Sequence, residues 1–202
     1  MTPLEEPSEV LRVPELTTGA RRILDVASGL FYRRGIHAVG VDVIAAESGY
    51  TKRTLYDRFG SKEDLVTAYL QARHEQWWKR MERRLAEKPA SPVLAFFDSY
   101  FEDAEPSGRG CAFINAAAEL PEDHSGYQVI RAHKRLVRQR LGGLIRASCP
   151  TSADAVADQV FLLLEGAIAH RGVDGDDTLV TSARRAILRM LEQDRAEGLP
   201  PE

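Results

Sequence analysis

GIHAVGVDVIAAESGYTKRTLYDRFGSKEDL, residues 35–65, holds two short apolar-periodic segments, Val41–Ser48 and Lys52–Phe59, separated by Gly49-Tyr50. Helices of about eight residues are not stable by propensity alone, so each needs packing partners. Gly49 can take the left-handed backbone that a tight turn requires, and Thr51 stands where it can cap the second segment. In Val41–Ser48 the apolar face is Val41, Ile44, Ala45 and Ser48; in Lys52–Phe59 it is Leu55 and Phe59. Two short helices joined at a steep angle by a glycine turn predict a helix-turn-helix over 40–59, the arrangement that presents one helix to the DNA major groove.

Working outward, Thr17 or Thr18 caps a helix whose stripe is Ile23, Leu24, Ala27, Leu30 and Phe31, and Gly35 ends it. Gly60 stops the Lys52–Phe59 helix, and Ser61-Lys62-Glu63-Asp64 opens a fourth with a capping-box-like pattern. That helix is expected to pass Trp77-Trp78 and reach about Glu87 before Pro89 and Pro92. Further helices are predicted from Ser91-Pro92, through CAFINAAAEL (111–120), from Tyr127 to about Ser148, over Asp154–His170 and over Thr178–Gln193. The fold class is all-α with about nine helices: an N-terminal three-helix DNA-binding domain and a C-terminal helical domain. The expected division is 1–16 as a flexible arm, 17–77 as the helix-turn-helix domain and 78–202 as the body.

The sequence of 202 residues has 44% hydrophobic and 28% charged residues, ordinary values for a globular protein. No apolar run approaches the roughly 20 residues that cross a bilayer, and MTPLEEPSEV lacks a basic start and an apolar core. The two cysteines, Cys111 and Cys149, form neither a metal spacing nor a disulfide framework, which points to a reducing cytoplasm. Cys111, beside Arg109 and near a helix start, is either an inert core thiol or a redox-responsive one. The five histidines show no ligand spacing, and no nucleophile elbow, phosphate loop or carboxylate pair appears. The expectation is no metal, no cofactor and no catalysis.

Net charge is −3, but it is unevenly spread. Residues 17–62 carry eight cations (Arg21, Arg22, Arg33, Arg34, Lys52, Arg53, Arg58, Lys62) and four anions (Asp25, Asp42, Glu47, Asp57), hence +4, leaving −7 for the remainder. A basic module on an acidic body suits a protein that meets phosphates at one end. Lys52 and Arg53 fall in the first turn of the second short helix, where a recognition helix meets base edges. Arginine can bridge guanine O6 and N7. Thr54 and Tyr56 offer hydroxyls to a base or phosphate, and Lys62 adds its charge to the free N–H groups at the start of the next helix.

ILDVASGLFYRRGIHAVGVDVIAAESGYTKRTLYDRFGSKEDLV resembles the N-terminal domain of the TetR family of bacterial transcriptional regulators. The resemblance spans about residues 17–70 and rests on Ala27, Phe31, Gly35, Ile44-Ala45, Gly49, Thr54-Leu55-Tyr56, Phe59, Ser61-Lys62-Glu63 and Leu65. It implies DNA contacts by Lys52, Arg53, Thr54, Tyr56 and Lys62, with Val41 and Asp42 close to the DNA backbone. The family usually places Thr or Ser before the second helix, where this chain has Val39-Gly40. It also implies a double-stranded operator, palindromic because two heads read two half-sites, a homodimer, and a small-molecule effector that releases a repressor from its operator.

The body supports part of this independently. Ala155–Ala169 is apolar nearly all round, and such a helix needs cover on several sides, whereas the last helix has one stripe. The pair suits a four-helix interface between subunits, with Val160, Phe161, Leu164, Ile168, Ala183, Ile187 and Met190 expected there. RGCAFINAAAEL (109–120) also resembles a segment found in one large branch of the family, which implies a pocket nearby. Pocket candidates are Phe97, Tyr100, Phe113, Asn115, Glu119, Tyr127 and His133, aromatic groups with a few polar ones.

Overall fold

The helix boundaries follow local chemistry closely. The computed structural model describes residues 9–102, 108–148 and 153–197, which contain nine α-helices and no strand. They are α1 (Thr18–Arg34), α2 (Val41–Ser48), α3 (Lys52–Phe59), α4 (Lys62–Ala86), α5 (Pro92–Glu102), α6 (Ala112–Glu119), α7 (Ser125–Ser148), α8 (Ala153–Asp174) and α9 (Thr178–Glu197). Thr17 caps α1, its hydroxyl accepting from the Ala20 N–H at 3.3 Å. Gly49, at φ +80°, closes α2 in the left-handed region, and its N–H and that of Tyr50 both reach the Ala45 carbonyl, at 3.1 and 3.2 Å. Ser61 accepts from the Asp64 N–H at 2.9 Å and donates to the Asp64 carboxylate at 2.6 Å, which sets the start of α4. At α9 the Asp176 carboxylate accepts from the Thr178 N–H at 2.8 Å, and that bond holds its pKa below the usual carboxylate value.

Three segments depart from expectation, one of them α9, which ends at Glu197 rather than Gln193. Part of the stretch expected as a flexible arm forms a 3-10 turn at Glu9–Leu11, with Leu11 buried and Gln71 Nε2 donating to the Val10 carbonyl at 2.9 Å. One anchoring leucine leaves no periodic trace, so the sequence could not announce it. Residues 1–8 of the expected arm lie outside the described residues. Helix α8 runs four residues beyond His170 to Asp174, where the Gly175 N–H caps the Arg171 carbonyl at 3.1 Å.

The chain divides into two compact units. One holds the sequence up to Trp77 together with Ala112–His133; the other holds Trp78–Cys111 and the chain from Lys134 onward. Residues 112–133 thus pack with the N-terminal helices, which a linear division at 77/78 does not convey. In the first unit Ile23, Leu24, Leu30 and Phe31 of α1 close over Ile44 of α2, Leu55 of α3 and Leu65 of α4, all nearly inaccessible. The same unit buries two imidazoles: His74 and His133 face each other with Nδ1 atoms 3.0 Å apart, and the His133 ring stacks on Phe113 at 3.7 Å between centroids.

In the second unit α8 lies along α9, and α5 packs on both. Helix α7 carries six Lys and Arg residues and no Asp or Glu. Four of its cations reach acids of neighbouring helices: Lys134–Glu165, Arg138–Asp158 and Arg146–Asp154 on α8, and Arg140–Glu82 on α4. Among the described residues no helix is long and apolar enough to cross a membrane.

Candidate nucleic-acid interface

The short helix α3 shows one face to solvent because its opposite face is occupied. Leu55 is completely buried and Phe59 half-buried, so residues 52, 53, 56 and 57 turn outward. Thr51 Oγ1 accepts from the Thr54 N–H at 3.1 Å and lies 2.9 Å from the Thr54 hydroxyl. Thr54 is therefore half-buried and its hydroxyl already engaged in the cap. Arg53 has 91% of its side chain exposed and only a loose 3.9 Å approach to Asp57 one turn on. Tyr56 stands beside it, 45% exposed.

Lys52 differs from Arg53. Its ammonium sits 2.7 Å from Asp42 at the start of α2, and this hydrogen bond with its Coulomb attraction raises the lysine pKa. The pair ties the two helices together across the turn and neutralises half of the cationic pair at the head of α3. Val41, the first residue of α2, is half-buried. Gly40 caps α2 without a side-chain hydrogen bond, so the first N–H groups of that helix have no capping side chain. Free N–H groups of this kind favour an anion.

Lys62 opens α4, as expected. Its Nζ donates to the Ile36 carbonyl at 2.8 Å and the side chain is half-buried, so its first task is to anchor the loop between α1 and α2. Two of its three ammonium protons remain for other acceptors. Tyr50 was not singled out by sequence, yet it is 38% exposed at the turn, and its hydroxyl lies where a Cβ on Gly19 would come within 3.0 Å. The available signal was a tyrosine directly after the turn glycine.

The expected pocket residues fall in both units. In the first, Phe113 and His133 are buried against each other, Tyr127 lies under the Arg131 guanidinium at 4.8 Å, and Asn115 and Glu119 line a small cleft with Phe31, Tyr32, Ile36, Tyr69, Ala112 and Ala116. That cleft measures about 10 Å³, room for one water and not for an effector. The Glu119 carboxylate accepts from the His37 N–H at 2.8 Å and so already serves a structural bond. In the second unit Phe97 packs on Phe101 with ring centroids 4.6 Å apart. Tyr100 is buried and donates to Glu165 at 2.7 Å, where Lys134 Nζ meets both and also approaches Cys111 Sγ at 3.5 Å. Burial, with the nearby Cys111 and Glu165, pushes the Tyr100 pKa well above its ordinary value.

The expected interface residues lie on α8 and α9. Val160, Leu164 and Ile168 of α8 and Ala183 and Ile187 of α9 are buried within the chain itself, and Phe161 and Met190 are half-buried. The first five belong to the unit's own core. A helix apolar all round does not reveal in sequence which side turns inward. The apolar groups left outside are Leu162, 69% exposed, Val173, 79%, and Leu179, 42%.

Residues 23–69 match the family model described as bacterial regulatory proteins, tetR family. A TetR-family transcriptional regulator from Streptomyces coelicolor shares 30% identity over 88% of this chain and 96% of its own, with a TM-score of 0.80. A TetR transcriptional regulator from Legionella pneumophila has the same fold, with 22% identity, a TM-score of 0.73, and coverage of 88% of this chain and 99% of that one. The HTH-type transcriptional activator FasR of Mycolicibacterium smegmatis is 27% identical over 145 residues, 69% of this chain and 57% of that protein. The chain therefore spans little more than half of that relative. An HTH-type transcriptional regulator of Mycobacterium tuberculosis is 28% identical over 172 residues, 85% of this chain and 72% of its own.

Proposed function

Because this chain belongs to the TetR family of bacterial transcriptional regulators, we propose that it binds duplex operator DNA as a homodimer and represses transcription until a small molecule releases it. The observation that carries the DNA-binding part is α3. It is an eight-residue capped helix, held by Leu55 from behind, with Arg53 and Tyr56 projecting from its open face. Arginine in the first turn reads base edges, tyrosine and the uncapped start of α2 take phosphates, and Lys62 adds a phosphate contact through its two spare protons. Asp42 offsets Lys52, so affinity in this reading depends more on Arg53 than on the number of cations.

Two copies dock through the outward side of α8 and α9, where Leu162, Val173 and Leu179 are exposed, and the two heads read a palindromic site. The effector acts by binding the DNA-free arrangement more tightly; linkage then weakens operator binding by the same factor. Regulation in the opposite sense is favoured by one finding, the activator designation of the Mycolicibacterium relative. The test is selection of duplexes from a random library by the full chain, followed by a reporter driven from the selected site. A palindromic consensus, bound by the dimer and silenced in the reporter, is the expected outcome. No enriched duplex refutes operator binding, and a raised reporter refutes repression.

A further inference from the structure

The loop between α1 and α2, residues 35–40, leads into α2, whose Gly40 cap offers no side-chain hydrogen bond, and three hydrogen bonds from α4 and α6 hold it. Lys62 of α4 holds the Ile36 carbonyl at 2.8 Å. The other two come from a single residue 82 positions away, Glu119 at the end of α6. Its carboxylate Oε2 accepts from the His37 backbone N–H at 2.8 Å, and its carbonyl oxygen meets His37 Nε2 at 2.6 Å. That carbonyl belongs to the last turn of α6, where carbonyls have no intrahelical partner, so the imidazole donates to it as a C-terminal cap. Gly35, at φ +91°, brings the chain so close that a Cβ there would stand 3.1 Å from the Glu119 carboxylate. Ile36 and Val39 on either side are buried, which leaves the loop little freedom once Glu119 is in place.

We propose that Glu119 is a positioning residue for DNA binding: through His37 it sets the loop that aims α2, without touching DNA. Resting as it does on the DNA-binding reading above, this assigns to α6 a direct mechanical grip on the DNA-facing helices. The grip has two jaws, one side-chain acceptor for a backbone donor and one backbone acceptor for a side-chain donor. Each jaw can be removed alone, and each has a conservative replacement that keeps its chemistry. Glutamine at 119 retains an acceptor for the His37 N–H. Glutamine at 37 retains a donor near the position of Nε2.

The experiment measures binding of the full chain to a duplex selected from a random library, by fluorescence anisotropy over a salt series. Melting of every variant is followed by circular dichroism, and amide exchange at residues 35–40 is recorded. Glu119→Ala and His37→Ala are each expected to weaken binding roughly fivefold, the scale of one lost hydrogen bond. The double variant should lose less than the product of the two. The slope of affinity against salt should not change, because no phosphate contact is removed. Glu119→Gln and His37→Gln should bind within about twofold of the parent, and exchange at residues 35–40 should rise only in the alanine variants.

Parental affinity in Glu119→Ala overturns the proposal, as does a Glu119→Gln loss equal to that of alanine or a flattened salt slope. Arg53→Ala is the control for the underlying reading. If it too binds like the parent, the DNA-contact assignment fails, and the exchange data then judge the grip separately. If Glu119→Ala does not fold, His37→Ala carries the same comparison from the loop side.

Discussion

Acid should destabilise this protein in part through one buried imidazole. His74 is 4% exposed, and burial lowers its pKa from 6.5 to about 4 despite the opposing pull of Glu75. The charged form is thus disfavoured in the folded state. The sign follows: with a folded pKa below the unfolded one, the stabilisation is whole above pH 6.5 and disappears as pH falls toward 4. A fall from 6.5 to about 4 corresponds to roughly 3 kcal/mol, of which about 2 kcal/mol is lost between pH 7 and pH 5. Against a total of roughly 5–15 kcal/mol that is a large share, equivalent to about 4–8 °C in melting temperature for a chain of this size.

The assay is denaturant unfolding from pH 7.5 to 4.5, followed by circular dichroism and by the emission of the tryptophans, one of which, Trp77, lies 5.5 Å edge-on to His133. His74→Asn isolates the effect. Its amide puts a hydrogen-bonding atom near the place of Nδ1, keeps the partnership with His133 and does not titrate. The parent should lose about 2 kcal/mol between pH 7 and pH 5, and His74→Asn should show a much flatter acid limb. Carboxylates elsewhere contribute to both chains alike, so the difference between them belongs to the imidazole. An acid limb equally steep in parent and variant would refute the assignment.

Other outcomes are as specific. Arg53→Ala should reduce discrimination between a selected operator and random duplex by about 1–3 kcal/mol, read as a ratio of dissociation constants, while leaving the melting temperature unchanged. Asp42→Asn releases Lys52, so binding to any duplex should strengthen and the salt slope steepen by up to about one; an unchanged slope means that Lys52 does not reach phosphate. Leu55→Ala removes a fully buried anchor of α3 and should destabilise by about 2–5 kcal/mol in denaturant unfolding. Leu162→Glu should yield monomers in sedimentation velocity, because it sets a charge on the outward face of α8 without entering the subunit core; a persistent dimer places the interface elsewhere.

The legible and illegible parts of this chain separate by the range of the physics involved. Helices α2 and α3 could be bounded to the residue because caps, turn glycines and apolar periods act over three or four positions. Thr51 and Thr54, Ala45 and Gly49, and Ser61 and Asp64 are all such pairs. The outward side of α3 followed from the same local periodicity, since a helix with only Leu55 and Phe59 to bury has one way to turn. Helix α8 carries no such instruction: its apolar residues surround it, and only contact with α5 and α9 decides that Leu164 goes in and Leu162 out.

Hydrogen bonds to distant partners are illegible in the sequence for the same reason. Nothing in the sequence indicates that Lys62 donates to the Ile36 carbonyl, 26 residues away. Nor does it indicate that the Glu119 carboxylate accepts from the His37 N–H, 82 residues away. In both cases the partner is the α1–α2 loop, whose own sequence advertises nothing beyond a glycine at each end. The loop is held by these two contacts from α4 and α6 together with its own buried Ile36 and Val39. Under the proposed grip, control of α2 lies partly outside the helix-turn-helix, in residues whose identity only the assembled unit explains.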